Sequence, residues 1–233
     1  MSDNARLAAL MAAEAKAMAL LDAIETRGLI APGRTERAVE RDIYALAEAE
    51  FGVAHHWHKR IVRAGANTVS VFSDNPPVRA IGADDLVFLD LGPVFEEWEA
   101  DVGRTYVLGD DPEKHRLVHD LDRVFTMLAR HFHDHPDITG AELYAHAQRV
   151  AEAAGWVFGG AIAGHLVGEF PHARWPGEKD HYRVNPANPT RMRDPDAQGQ
   201  EKHWILEVHL VNRARTYGGF YERLLPSAKA VAV

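Results

Sequence analysis

Two aspartates stand inside apolar segments that otherwise predict β-strands. Asp90 is the only charged residue of the run 86–92, and Asp101 opens the run 101–108. Charged side chains are depleted from strand interiors, so each carboxylate needs a specific partner. If the two runs form a hairpin that turns near residues 95–97, Asp90 and Asp101 face each other directly. Opposed positions bring their Cβ atoms to about 4.5–5.5 Å, where two carboxylates repel unless a cation lies between them.

A second pair of acids repeats this arrangement towards the C-terminus. Glu207 lies in the apolar run 204–208, and Glu222 lies in the run 220–225. A hairpin that turns near residues 214–215 pairs the two glutamates directly. Two hairpins with opposed carboxylates in apolar surroundings are typical of a cage for divalent cations.

The four acids also have an interpretation that needs no metal. In that alternative the carboxylates face solvent or pair with arginines, such as Arg104 and Arg223, on the same hairpins. The hairpin patterns by themselves leave both interpretations open. A histidine between the two hairpins favours the metal site.

That histidine belongs to a short motif. Residues 164–168 read Gly-His-Leu-Val-Gly, with His165 as the second residue, and His172 follows. This pattern resembles the Gly-His-x-x-Gly…His signature of the methionine aminopeptidase and Xaa-Pro peptidase family. The stretch 90–105 resembles the family's Asp-x-Gly…Tyr-x-x-Asp-x-x-Arg-Thr, and residues 30–36 resemble the turn before its second helix.

The resemblance extends over roughly residues 5–225, because the runs of Glu207 and Glu222 resemble the two strands that carry the family's ligating glutamates. It implies the α+β pita-bread fold, in which a curved antiparallel sheet is flanked by helices. Residues 1–233 are then expected to form a single catalytic domain without the additional N-terminal domain of larger relatives.

The resemblance also implies a role for each acid. Asp101 and Glu222 are implied to bridge two divalent ions, Asp90 to bind one ion, and His165 and Glu207 to bind the other. Mn, Fe, Co and Zn all suit oxygen and nitrogen ligands of this kind. The ions would share a water that becomes nucleophilic near neutral pH, and Glu207 would accept its proton.

Residues around the implied substrate pocket match the family less well. His172 is implied to hydrogen-bond a substrate carbonyl or the oxyanion formed from it. The family's peptidases carry another histidine on the loop before the first aspartate, where this chain has Phe72, and the nearest upstream histidine is His58. Strand alternation from Glu207 makes His209 a candidate replacement. Phe72 and His209 are therefore the predicted substrate-binding residues.

The remaining histidines occur mainly in two short polar clusters, which are interpreted as solvated loop or helix-end residues. Closeness in sequence does not make side chains converge on one ion, so these clusters predict adventitious metal binding at most. They comprise His55, His56 and His58 in the first cluster, and His131, His133 and His135 in the second.

Three functions are compatible with these residues. The first is a two-metal hydrolase that removes an N-terminal residue or cleaves a dipeptide. The second is a non-peptidase of the same fold, either a small-molecule amide hydrolase such as ectoine hydrolase or a lyase acting on dimethylsulfoniopropionate. Phe72 and the arginines of the polar stretch 173–203 (Arg174, Arg183, Arg191 and Arg193) suit such a small anionic substrate. The third is a metal-free binding protein.

Helices and strands must position these groups, and the sequence predicts them in blocks. The apolar spacing predicts a helix over residues 4–27, a second from the cap Thr35 to Phe51, a third from Asp111-Pro112, and a fourth from a capping box at 139–142. Short strands are predicted at 60–62, 68–72, 86–94 and 101–108.

Composition restricts the function classes further. The chain has no cysteine, which excludes disulfides, thiolate metal sites and a cysteine nucleophile. A net charge of −8 argues against nucleic-acid or acidic-membrane partners. No secretory signal or membrane span is recognised, so a cytoplasmic location is expected. The expected partner is a peptide or small amide substrate, and a homodimer is expected from the family alone.

Overall fold

The computed structural model describes residues 1–171 and 178–225, and the elements below belong to these two ranges. The helices are α1 (Asp3–Thr26), α2 (Glu36–Phe51), α3 (Pro112–Asp134) and α4 (Gly140–Ala153). The strands are β1 (Ile61–Ala64), β2 (Leu86–Leu91), β3 (Val94–Phe95), β4 (Trp98–Glu99), β5 (Val102–Val107), β6 (Val157–Phe158), β7 (Gly164–Val167), β8 (His203–Val211) and β9 (Gly218–Leu224). Short 3₁₀ helices occupy Gly65–Val69 and Lys179–Tyr182.

One antiparallel sheet organises the molecule. Its path runs β1-β2-β5-β9-β8-β6, and β7 also pairs with β8. Strands β3 and β4 form a separate small hairpin between β2 and β5. Within the two described ranges, no helix is long and apolar enough to cross a membrane.

Helices α1 and α3 pack on the same face of the sheet. On β9, the Nε of Arg223 donates to Glu14 of α1 at 2.8 Å, and the ring of Tyr221 contacts Phe125 of α3 with centroids 5.1 Å apart. Residues two apart on a strand share a face, so Glu222 points to the opposite face. The acidic side chains are thereby separated from the helix-packed core.

The helix-packed face holds two apolar clusters. One joins α1 and α2 to β2, and the other joins α3 and α4 to β8. Full burial of each large aliphatic side chain contributes roughly 1.5–3 kcal/mol, so these clusters hold the sheet against the helices. Their fully buried members include Leu20, Ile24, Ile43 and Leu89 in the first cluster, and Leu117, Leu121, Leu143 and Leu206 in the second.

The predicted helix starts are confirmed. The Thr35 hydroxyl accepts from the backbone N–H of Ala38 at the start of α2, and Asp111 caps α3 ahead of Pro112. At α4 the side chain of Thr139 accepts from the Glu142 N–H, while the Glu142 carboxylate accepts from the Thr139 N–H. Each cap satisfies backbone donors that a helix leaves unpaired at its first turn.

The predicted pairing of Asp90 with Asp101 is wrong by two residues. Asp90 pairs with Gly103, because the turn lies between Glu96 and Glu97, one position later than a pairing with Asp101 requires, and β3–β4 continue the register of β2–β5. A shift of two residues preserves the side-chain face. Asp101 therefore lies just before β5, on the same face of the sheet as Asp90.

The strand predicted at residues 68–72 is also wrong. Residues 65–69 form a 3₁₀ helix and residues 72–73 form a turn. The Thr68 hydroxyl donates to the Gly65 carbonyl, and the Asp74 carboxylate accepts from the Val71 N–H at 2.9 Å. These local hydrogen bonds compete with strand pairing in a segment whose β-branched residues favour a strand.

Candidate metal centre

A row of three acidic residues and one glycine crosses four strands of the sheet. Asp90 of β2 pairs with Gly103 of β5, Gly103 pairs with Glu222 of β9, and Glu222 pairs with Glu207 of β8. The predicted pairing of Glu207 with Glu222 is thus confirmed. At Gly103 an added Cβ would lie 2.5 Å from the Phe220 ring and 3.0 Å from the Glu222 Cβ, so only glycine allows the strands to approach here.

His165 and Asp101 meet beside this row. The His165 Nε2 lies 3.0 Å from the Asp101 Oδ2 and 3.7 Å from the Glu222 Oε1. The other ring nitrogen, Nδ1, lies 2.9 Å from the backbone oxygen of Leu166 and donates to it. This tautomer directs Nε2 towards the carboxylates, as in histidines that bind metals.

His58 also reaches the carboxylates, although the sequence interpretation placed it in a solvated cluster. Its side chain is only 7% exposed, and its Nε2 lies 3.1 Å from Asp101 and 3.5 Å from Asp90. That interpretation is therefore wrong for His58. The sequence signal was the adjacent Trp57, whose large indole favours burial and whose Nε1 donates to the Ala100 carbonyl at 3.1 Å.

The two alternative partners of the acids point elsewhere. Arg104 donates to Asp22 of α1 at 2.7 Å, and Arg223 is held by Glu14. Both arginines lie on strands next to the acids but face the helices. Neither arginine neutralises the carboxylate row, so the interpretation of the acids as partners of these arginines is wrong.

Burial and neighbouring charges shift the pKa of every acid of the row and of Asp101. Burial raises the pKa of Asp90 to about 7 and that of Glu207 to about 8. Burial and the nearby Asp101 hold the pKa of Glu222 well above its usual range. Burial opposes ionisation of Asp101 too, but the facing His58 and the hydrogen bonds from His165 and His58 lower its pKa to about 2.

This electrostatic pattern and two unpaired oxygens fit a bound cation. Three buried carboxylates and the half-buried Glu207 face two imidazoles, so complete ionisation leaves excess negative charge at the site. In the described part of the chain, nothing hydrogen-bonds the buried Glu207 Oε1 or Glu222 Oε2. Unpaired buried oxygens are costly, and coordination of a divalent ion would satisfy them.

A cavity of about 470 Å³ opens onto the acids and carries several cations. Arg63, Lys179 and Arg183 line it together with the rings of Phe88 and Phe220. Such a volume suits a small ligand. The cations and rings allow an anionic group and an apolar group to be held at the same site.

Phe72 and His209, the predicted substrate-binding residues, both line this cavity. Phe72 is 53% exposed, and its ring packs against His58 with centroids 5.8 Å apart. The His209 Nε2 lies 2.8 Å from the Thr68 carbonyl oxygen, so that nitrogen anchors the 3₁₀ helix. Burial, the leading cause, lowers the pKa of His209.

Other predicted residues lie outside the cavity or outside the described residues. His172 and Arg174 fall between the two described ranges. Arg191 pairs with Asp137 at 3.2 Å, and Arg193 donates to backbone carbonyls at the end of α3. Of the four arginines predicted to suit an anionic substrate, Arg183 is the described one that reaches the cavity.

Comparison with known protein sequences identifies the family of the chain. Residues 5–194 match the sequence profile of metallopeptidase family M24. An Xaa-Pro dipeptidase of Lactobacillus helveticus is 30% identical over 135 residues, which is 58% of this chain and 34% of the relative. The match therefore spans about a third of that relative's length.

Solved structures share the fold at lower identity. A dipeptidase from Pyrococcus horikoshii OT3 superposes with a TM-score of 0.71 at 20% identity, covering 98% of this chain and 62% of its own. A methionine aminopeptidase from Rickettsia prowazekii superposes with a TM-score of 0.66 at 15% identity, covering 92% and 90%. These likenesses confirm the predicted pita-bread fold.

Proposed function

The chain belongs to metallopeptidase family M24, and we propose that it is a two-metal hydrolase that cleaves an amide bond of a short peptide. The observation that carries this proposal is the row of buried acids beside His165, with the Glu207 Oε1 and Glu222 Oε2 unpaired in the described residues. The named function of the Lactobacillus helveticus relative, an Xaa-Pro dipeptidase, supports peptide cleavage as the reaction.

Five side chains would hold the ions, and Asp101 would be shared. Two groups of ligand atoms lie within 4.8 Å of one another, one formed by His58, Asp90 and Asp101, the other by Asp101, His165 and Glu222. Asp101 belongs to both groups, as a bridging carboxylate would. Asp90, Asp101, His165, Glu207 and Glu222 are the proposed ligands, and they are the residues that the family resemblance implies.

Bound divalent ions supply Lewis acidity and lower the pKa of a bound water to near 7. The Glu207 carboxylate would accept a proton from the attacking water and later return it to the leaving amine. Phe88 and Phe220 line the cavity beside the carboxylates, and with substrate bound they would exclude bulk water, which strengthens electrostatic interactions. Arg63 and Arg183 would orient the substrate through its free carboxylate.

The proposal is tested by metal analysis and a substrate panel. The purified protein is expected to hold about two equivalents of divalent metal and to cleave Xaa-Pro dipeptides in the presence of Mn²⁺ or Co²⁺. Other dipeptides and peptides with N-terminal Met complete the panel. Less than about half an equivalent of metal after mild purification would instead favour a metal-free binding protein.

A second function is favoured by one specific observation. Phe72 stands where the family resemblance predicts a substrate-contacting histidine, and three cations line the cavity. A non-peptidase acting on a small anionic amide fits these features. N-acyl amino acids and their neutral methyl esters form the matched test pair. Turnover of the anionic amides by a fully metallated protein that cleaves none of the peptides would replace the peptidase proposal.

A further inference from the structure

We propose that His58 is an additional metal ligand of this centre and binds the ion held by Asp90 and Asp101 through its Nε2. The proposal rests on the two-metal site proposed above and adds a nitrogen ligand to the side where the family resemblance implies carboxylates. The sequence pattern of ligands did not include His58, which lies 43 residues from Asp101 along the chain.

His58 repeats the geometry of His165 on the other side of Asp101. Each Nδ1 faces the carbonyl of the following residue, Lys59 at 2.7 Å and Leu166 at 2.9 Å. Each Nε2 approaches a different oxygen of Asp101, Oδ1 at 3.1 Å for His58 and Oδ2 at 3.0 Å for His165. A backbone acceptor at Nδ1 holds the tautomer in which Nε2 is free for a metal.

The distances around His58 suit ligands of a common ion. Metal–ligand bonds of about 2.1 Å, at angles of 90–110°, separate neighbouring ligand atoms by roughly 3.0–3.5 Å. The Nε2 of His58 lies 3.1 Å from the Asp101 Oδ1 and 3.5 Å from the Asp90 Oδ1. The three atoms therefore form one face of a coordination shell without movement of the backbone.

The fold makes specific room for the His58 ring. At Gly92 an added Cβ would lie 2.2 Å from the His58 Cδ2 and 2.6 Å from the Trp57 Nε1. The N–H of Trp57 donates to the Gly92 carbonyl at 2.9 Å, and the Val94 N–H donates to His55 at 3.0 Å. This pairing aligns the His58 segment with the chain that immediately follows Asp90.

Trp57 separates the two imidazoles and restricts their rotation. Its ring contacts His58 edge-on with centroids 4.4 Å apart, and it contacts His165 with centroids 5.4 Å apart. Held rings lose little conformational freedom when they coordinate an ion. An imidazole on each side of Asp101 would favour Co²⁺, Zn²⁺ and Fe²⁺ over Mg²⁺ and Mn²⁺, which prefer oxygen ligands.

The competing role for His58 is a hydrogen-bond donor that orients Asp101 without touching the ion. Two substitutions separate these roles. His58→Ala removes both the ligand and the hydrogen bond, whereas His58→Gln retains an amide donor near the position of Nε2. His119→Ala is the matched control, because His119 is 79% exposed on α3 and far from the acids.

The experiment loads metal-free full-length protein with Co²⁺. Titration against a competing chelator gives two affinities, and proton NMR counts the strongly shifted, exchangeable N–H signals of coordinated imidazoles. The wild-type and His119→Ala proteins are expected to bind two ions and to show two such signals, one for each histidine Nδ1–H. His58→Ala and His58→Gln are both expected to lose one signal and to bind one ion about 100-fold more weakly.

The outcomes are distinguishable. Two signals and two wild-type affinities in His58→Ala would overturn the His58 proposal while leaving the two-metal centre intact. Wild-type affinity restored in His58→Gln would assign the hydrogen-bonding role and likewise overturn the proposal. Failure of the wild-type protein to bind Co²⁺ at all would overturn both proposals. Circular dichroism of the metal-free variants confirms that each one is folded before the comparison.

Discussion

Two groups of histidines in this molecule have opposite surroundings. His58 and His165 lie inside the sheet cavity, and each Nε2 is within hydrogen-bonding distance of Asp101. His131 of α3 instead stacks on His146 of α4 with ring centroids 3.6 Å apart, and its ring also contacts His135 at 4.0 Å. The first group faces carboxylates, and the second faces mainly other imidazoles.

The surroundings determine the direction in which each histidine's pKa moves. Burial opposes protonation of His58, but the facing Asp101 and Asp90 raise its pKa to about 9. Burial together with His131 and Arg149 lowers the pKa of His146 to about 4. Closely spaced histidines are thus a metal-centre feature only where acids converge on the same point.

Loss of the proton-accepting carboxylate is expected to have the largest effect. Glu207→Gln preserves the size of the side chain but removes its basicity, so turnover of the best peptide should fall by about 1,000-fold or more. Steady-state kinetics of the metal-loaded protein measure the change. Glu97→Gln, at an exposed turn of the small hairpin, is the matched control and should retain wild-type turnover. Comparable turnover of the two variants would contradict the role of Glu207.

Removal of the metal ions is expected to lower the Tm of the folded protein. A ligand present at 100 times its Kd stabilises the folded state by about 2.7 kcal/mol, so chelation should lower Tm by about 5–10 °C. Differential scanning calorimetry measures the shift, and Mn²⁺ or Co²⁺ should reverse it. His146→Gln is the informative control, since it alters the other histidine group and should show the same metal-dependent shift. An equal Tm with and without metal would contradict the role assigned to the acid row.

Lowering the pH is expected to reduce the stability of the folded protein through His146. Folding lowers the pKa of this histidine, whereas a carboxylate partner would raise it. The folded pKa of about 4 lies below the ordinary 6.5, so the unfolded chain binds more protons between these values. The contribution of His146 to stability is complete above pH 6.5 and is lost as the pH falls towards 4. Because His146 is partly exposed, the loss is about 1 kcal/mol after allowance for solvent screening.

Urea unfolding of the wild-type protein and His146→Gln at pH 7 and pH 5 measures this loss. Gln cannot titrate, so the difference in unfolding free energy between the two proteins should change with pH by about that amount. His131, His135 and Arg149 disfavour the protonated form, while the acids that line the same surface cleft are Asp134, Asp137 and Glu142. A difference in unfolding free energy that does not change with pH would contradict the predicted contribution of His146.

The smallest expected effect isolates one contact within the stack. His131→Gln removes the imidazole that lies 3.6 Å from the His146 ring, so the pKa of His146 should rise towards its ordinary value. Proton NMR titration of the His146 ring signals measures the change. His119→Ala, on the same helix but away from the stack, should leave the His146 titration unaltered. An unchanged pKa in His131→Gln would assign the shift to burial and to the other nearby cations.

Local features of the fold were predictable because near neighbours in sequence decide them. The caps at Thr35 and Thr139 depend on side chains within three residues of the helix start. The pairing of Glu207 with Glu222 was predictable because β8 and β9 are joined by a short connection. The register at Asp90 was not, since a displacement of the turn by one residue shifts every pair by two, and the sequence does not fix the turn at residues 96–97 that closely.

The sequence by itself determined the order of the ligand-type residues and the face that each one occupies. Strand alternation and family-like spacing suffice for Asp90, Asp101, Glu207 and Glu222, because two-residue periodicity survives even a shift of register. Only the tertiary structure decided that His58 joins these acids while His131 and His135 do not. That outcome depends on long-range pairing beside Gly92, and no local pattern specifies which distant segments meet.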